Sequence, residues 1–140
     1  ISNFAKPGWT SKHNSSYWQG KKYLGLGPSA HSFDGNSRQW NVANNALYIE
    51  MLEKNNIPCE KEILSQKDQL NEYIMTSLRT MEGLNIEQVR TRFGTETADK
   101  IVQLSGLFIE AGNMIQYKER LQLTKKGKLL ADGIAAEMFF

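Results

Sequence analysis

One cysteine, Cys59, stands in 140 residues. No disulfide and no cysteine-borne metal cluster can therefore form within them. Such sparing use of cysteine fits a reducing compartment, and the cytoplasm is the expected location. No apolar run approaches the about 18–20 residues that a membrane-crossing helix needs. The opening Ile1-Ser2-Asn3-Phe4-Ala5 lacks a basic leader, so no secretory signal is expected, and the glycosylation pattern at Asn14-Ser15-Ser16 is expected to carry no sugar. The first residue is not methionine, and a longer protein cut upstream is the expectation. Acid is missing in one place only. Residues 1–33 hold Lys6, Lys12, Lys21 and Lys22 and no Asp or Glu; the first acid is Asp34. No internal repeat, low-complexity tract or nucleophile elbow occurs, and Ser29 near His31 is a coincidence of spacing. A self-contained catalytic site is not expected.

What is present is ordinary for one globular domain, or one domain and part of another: 40% hydrophobic and 23% charged residues, net charge +2. The charge excess lies early. Residues 1–60 carry six Lys/Arg against four Asp/Glu, and residues 61–140 carry eleven against eleven.

Residues 1–42 read as short strands and loops. Ile1 to Phe4 reads as a strand end stopped by Pro7-Gly8. Lys6 to Gln19 reads as polar and irregular. Tyr23 to Gly27 reads as a buried strand, Asp34-Gly35-Asn36 as a turn and Arg38 to Val42 as a strand. From Ala43 to Lys54 the pattern is helical, and residues 55–65 read as a linker. Ser65-Gln66-Lys67-Asp68 predicts a capping box opening a helix with Leu70, Tyr73, Ile74, Ser77, Leu78 and Met81 on one face, closed near Gly83. Asn85-Ile86-Glu87-Gln88 predicts a short helix to Phe93-Gly94. Thr95 is expected to cap a third helix with Ile101, Leu104, Phe108 and Ile109 inward, ended by Gly112-Asn113. Met114 to Lys118 and Leu121 to Leu123 predict two strands about a turn at Glu119-Arg120. Thr124 is expected to cap a last helix carrying Leu129, Leu130, Ile134 and Met138. Three helices, a hairpin and a helix resemble a winged-helix arrangement.

The densest chemistry lies in His13-Asn14-Ser15-Ser16-Tyr17-Trp18 and Tyr23-Leu24-Gly25-Leu26-Gly27-Pro28-Ser29-Ala30-His31-Ser32. Both histidines fall within 19 residues, beside aromatics, a glycine-rich strand end and unpaired lysines. Imidazole ligates metals, and aromatic faces pack on a porphyrin. The same histidine also suits a loop hydrogen-bonded to backbone, with Trp18 over a local core. Gly25-Leu26-Gly27-Pro28-Ser29-Ala30 fits G-x-G-x-x-[GA], yet Pro28, Asp34 and Gly35 leave no room for the helix that a dinucleotide fold requires. Close approach of a nucleotide-like ligand and a tight crossing of two backbones both remain open there. His31 is open as ligand, general base or structural residue. Lys12, Lys21 and Lys22 suit either an anion or a solvated loop. Nucleic acid is not an expected partner: the helix from about Glu96 to Gly112 carries Glu96, Asp99 and Glu110 against Lys100, a net of −2, which opposes phosphate. Lys125-Lys126-Gly127-Lys128 is a small patch. Phe139-Phe140 suits burial against something or simple truncation.

These elements, with Ile1-Ser2-Asn3-Phe4-Ala5-Lys6-Pro7-Gly8, resemble the HemW family of radical S-adenosylmethionine (SAM) heme chaperones, relatives of the oxygen-independent coproporphyrinogen III oxidases. Leu70-Asn71-Glu72-Tyr73-Ile74-Met75, Leu78-Arg79-Thr80, Glu82-Gly83-Leu84 and Leu123-Thr124-Lys125-Lys126-Gly127 are similar to the C-terminal domain that the two groups share. The resemblance implies an α+β fold: residues 1–42 as the last strands of a partial (β/α) radical SAM barrel, 43–64 as helix and linker, and 65–140 as a mainly helical, winged-helix-like C-terminal domain. It implies heme as ligand, with His13 the candidate iron ligand and Asn14, Tyr17 and Trp18 shaping the site. It implies SAM beside Gly25, Gly27 and Ala30, and a [4Fe-4S] cluster in the full-length protein. The cluster's Cys-x3-Cys-x2-Cys ligands are absent here, so this stretch alone is expected to perform no radical chemistry. The implied activity is passing heme to acceptor proteins, with a homodimer open. The alternatives are SAM-dependent oxidative decarboxylation of coproporphyrinogen III to protoporphyrinogen IX, and an interaction module without a ligand.

Overall fold

The computed structural model describes residues 5–140. The expected strand end at Ile1 to Phe4 lies outside them. Two compact units emerge, one of residues 20–65 and the other of residues 66–140 with the segment up to Gln19.

The earliest element is a correction. Lys6 to Gln19 is not irregular throughout: Lys12–Trp18 forms helix α1. Ser11 caps it, its hydroxyl accepting a hydrogen bond from the Asn14 amide at 3.2 Å. Ser16 Oγ donates to the Lys12 carbonyl at 2.9 Å. No residue of α1 is buried. Apolar periodicity, the usual signal of a helix, is therefore missing.

Residues 20–65 hold a three-stranded antiparallel sheet of β1 (His31–Phe33), β2 (Ser37–Asn41) and β3 (Cys59–Ile63), in that order, with helix α2 (Asn45–Glu53) between β2 and β3. Asp34-Gly35-Asn36 makes the β1–β2 turn as expected. Asp34 Oδ1 accepts from the amides of Asn36 and Ser37 at 2.9 and 2.7 Å, and Ser37 Oγ donates to Asp34 Oδ2 at 2.7 Å. Gly35 has φ +99°, which glycine adopts without strain. The Ser37 hydroxyl, the two amides and Lys61 hold the Asp34 carboxyl down at about 2, from 3.8. A depressed carboxyl pKa stabilises the folded state above pH 3.8, and that contribution fades as pH falls from 3.8 toward 2. Asp34→Ala is therefore expected to flatten this acid limb of thermal stability; a limb as steep as the parent's between pH 4 and 2 would contradict the turn's role.

Two expectations fail in this unit. Residues 55–65 are not merely a linker, because β3 pairs with β2 from Asn41–Cys59 to Ser37–Ile63. Every β3 side chain is exposed, so no alternation marks the strand. Tyr23 to Gly27 is not a buried strand. Tyr23 makes a single bridge to Phe33, and Leu24 and Leu26 are 75% and 81% exposed.

Residues 66–140 follow the sequence pattern more closely. Helix α3 (Gln66–Ser77) leads to β4 (Leu84–Asn85), α4 (Ile86–Phe93), α5 (Thr95–Glu110), β5 (Met114–Tyr117), β6 (Arg120–Leu123), α6 (Lys125–Lys128) and α7 (Ala131–Glu137). The strands pair antiparallel in the order β4-β6-β5. The core is continuous: Leu70, Ile74 and Leu78 from the α3 segment meet Leu84, Ile86, Val89, Ile101, Met114, Leu121, Ile134 and Met138. Asn85 caps α4, its side-chain oxygen accepting from the amides of Glu87 and Gln88. Tyr73 ties α3 to that cap, accepting from the Asn85 amide at 3.1 Å and donating to Gln88 Oε1 at 3.0 Å; its burial pushes the phenol pKa up.

Four details differ from the sequence reading. Met81 is exposed, because α3 ends at Ser77 before that face recurs. Thr95 is the first residue of α5 rather than its cap, which is Gly94 at φ +95°. The hairpin turns at Lys118-Glu119, with Lys118 at φ +51°, one residue earlier than expected. The last helix is two helices: Thr124 does cap, accepting from the Gly127 amide at 3.1 Å, but α6 ends at Lys128 and leaves Leu129 and Leu130 exposed.

Candidate functional site

Helix α1 brings His13 and Tyr17 together. Residues four apart share a helical face, and here the Tyr17 hydroxyl lies 3.2 Å from His13 Nε2, the rings edge-to-face with centroids 5.1 Å apart. Both are exposed, as is Trp18, while Asn14 is half-buried. This is a solvent-facing imidazole with one nitrogen engaged by a phenol. Coordination through Nε2 would require Tyr17 to rotate away, exchanging one exposed hydrogen bond of about 1 kcal/mol. Nδ1 needs no such exchange.

The glycine-rich element is built differently at each position. A Cβ on Gly25 would lie far inside contact distance of the His31 backbone, so the tight-crossing reading holds there. The Gly25 amide donates to Ser32 Oγ at 3.0 Å and the Gly27 amide to the Tyr48 hydroxyl at 3.3 Å. Asn41 Nδ2 donates to the Gly27 carbonyl at 2.9 Å, and the Asn41 amide to the Ala30 carbonyl at 3.0 Å. These backbone groups therefore serve the fold. What stays open is the space over Gly27, where nothing lies within 4 Å of a would-be Cβ. Ser29, at φ +59°, turns the chain into β1.

His31 stands on the sheet in register with Trp40, and Trp40 in register with Glu60. The rings of His31 and Trp40 lie 6.4 Å apart at 35°. They wall an open cleft of about 620 Å³ with Ser29, Val42, Pro58 and Glu60. Trp40 is the residue that inspection of the sequence missed. Its signal was present: a turn at Asp34-Gly35-Asn36 pairs Phe33 with Arg38, and counting outward pairs His31 with Trp40.

Donor chemistry separates the implied cofactors. Heme needs one axial nitrogen and flat apolar cover, and both histidines sit beside aromatics. An iron–sulfur cluster needs several thiolates, and Cys59 is the chain's only thiol. Among the described residues no group of three or more His, Cys, Asp and Glu is placed to hold a metal ion.

Residues 64–130 match the family model described as the HemN C-terminal domain. Over those residues the chain is similar to that family. Over 135 residues the chain is 29% identical to the heme chaperone HemW of Bacillus subtilis, covering 96% of this chain and 36% of the relative. Over 139 residues it is 31% identical to the heme chaperone HemW of Mycobacterium tuberculosis, covering 96% and 33%. The chain thus spans about a third of the length of these curated relatives. The solved structure of the radical SAM enzyme coproporphyrinogen III oxidase (HemN) of Escherichia coli shares the fold, with a TM-score of 0.66 at 20% identity over 85% of this chain and 28% of that one. The resemblance to HemW read from the sequence is borne out, and the architecture is mixed α and β like the HemN C-terminal region. Among the described residues no helix is long and apolar enough to cross a membrane.

Proposed function

We propose that this chain supplies a heme-binding element and a packing domain to a protein that carries heme to acceptor proteins. The observation that carries this reading is α1, where Ser11 caps a short helix that presents His13, with Tyr17 against it and Trp18 exposed. Likeness over 96% of the chain to proteins named heme chaperones supports the same reading. His13 is then the candidate iron ligand, and Asn14, Tyr17 and Trp18 shape its surroundings.

On this reading residues 1–42 are the last strands of a partial barrel, 43–64 a helix followed by the strand β3 that pairs with β2, and 65–140 a winged helix that packs rather than reads DNA. Three helices and the sheet β4-β6-β5 support the last assignment. SAM would approach the open side of Gly27 near Gly25 and Ala30, and a cluster would be held by residues outside this chain. A reducing cytoplasm suits the lone exposed thiol. The acceptor proteins and a homodimer belong to the same proposal.

Hemin titrated into this chain, followed by its Soret band, tests the reading. A saturable shift is expected, and His13→Ala should lose one component of it, a fall of roughly tenfold or more in affinity at that site. A shift that never saturates, or one that His13→Ala leaves intact, contradicts α1 as the ligand.

A further inference from the structure

A neutral imidazole carries one proton on its two ring nitrogens, so one nitrogen donates and the other accepts. On α1 the Tyr17 hydroxyl lies 3.2 Å from His13 Nε2, four residues along one helical face, with the two rings at 88°. No acid stands on Lys12–Trp18, so no carboxylate of the helix competes for the imidazole. Among the described residues the Tyr17 hydroxyl is the one hydrogen-bond partner of this ring. Nδ1 is bonded to the ring carbon that carries Cβ, so a porphyrin laid against it meets the histidine's own side chain. Nε2 lies away from Cβ and is reached without that crowding. The nitrogen best suited to heme iron is therefore the one the phenol occupies. Tyr17 is 44% exposed, and an exposed side chain changes rotamer within nanoseconds, so the hydroxyl leaves and returns freely.

We propose that Tyr17 is a positioning residue that sets how tightly His13 holds heme: its hydroxyl donates to Nε2 when no iron is bound, yields that lone pair to iron on loading and takes it back on release. The proposal rests on the heme-binding reading of α1 and concerns the reversibility of that site. The tautomer selected without iron carries its proton on Nδ1. On loading, an O–H···N hydrogen bond breaks, a dative N–Fe bond forms and an axial water leaves the iron. The phenol keeps its proton and no electron moves. The dative bond decides whether heme binds; the hydrogen bond only offsets it. An exposed hydrogen bond shifts such an equilibrium by roughly fivefold, enough to loosen the hold without abolishing it. A protein that passes heme on gains from this, because the imidazole left behind is satisfied at once.

The test compares the full chain with Tyr17→Phe, which keeps the ring and loses only the hydroxyl, with His13→Ala and with the double variant, circular dichroism serving as the folding control. Tyr17→Phe is expected to bind hemin roughly fivefold tighter at the His13 component and to pass it to apomyoglobin more slowly by a similar factor. In the His13→Ala background the same substitution should change nothing, because the two residues act through one bond. Without hemin, the ring-nitrogen NMR shifts of His13 should report the Nδ1-protonated tautomer in the parent and move toward the Nε2-protonated one in Tyr17→Phe. A phenol that merely packs against the ring would leave those shifts unchanged, and that result overturns the inference. Hemin binding by Tyr17→Phe that is equal to the parent's or weaker overturns it too, while a component lost in His13→Ala keeps the α1 reading. If His13→Ala retains the parent's titration, the α1 reading fails, and this inference with it.

Discussion

Replacing Gly83 by alanine is expected to destabilise residues 66–140 by about 2–5 kcal/mol. Two effects add. Gly83 sits at φ +69°, where an L side chain costs about 1–2 kcal/mol. Its Cβ would also fall far inside contact distance of the Leu121 carbonyl oxygen, forcing β4 from β6 where Leu84 pairs with Leu121; such overpacking costs about 1–3 kcal/mol. Leu84 and Leu121 are both fully buried, so their separation would open the core. Gly106→Ala is the matching control. Gly106 is inside α5 with open space around its Cα, and alanine there should be neutral or stabilising by up to about 1 kcal/mol. Urea unfolding of both variants compares them. Equal midpoints would mean that β4 yields freely and that this contact is not rigid.

The second large effect joins fold to site. Gly25→Ala should destabilise residues 20–65 by about 1–3 kcal/mol, because the added methyl meets the His31 backbone. Here the φ angle is not the cause; the crossing is. Relief requires β1 to move at His31, or the Tyr23–Phe33 bridge to open. Either displaces His31 from Trp40. Leu24→Ala, at a residue 75% exposed, should change stability by less than about 0.5 kcal/mol. An unchanged urea midpoint in Gly25→Ala would show that the crossing yields freely to a methyl group.

What could be read from the residues follows from which physical signals they carry. The second unit was legible because its helices bury one face: Leu70, Ile74 and Leu78 recur at helical spacing, and Asn85 and Thr124 announce caps that exist. Helix α1 and strand β3 were not legible, since neither buries a side chain and both are held by backbone pairing and a polar cap. Leu24 and Leu26 misled in the opposite direction: their apolar character suggested burial that this chain does not supply. At Met81 and Leu129 the helix stops before the periodic face continues, and end points are the weakest part of any pattern. The candidate histidines were visible as residue types. That His13 meets Tyr17 follows from spacing within a helix, whereas the pairing of His31 with Trp40 needed the hairpin register.

His13 and His31 are the only histidines of the chain, so a double His13→Ala, His31→Ala variant removes every imidazole. Hemin titration of this variant beside the parent addresses heme binding by these residues directly. Saturable binding in the parent and none in the folded double variant is the predicted result. A double variant that binds hemin as the parent does, with the same Soret maximum and end point, would contradict it.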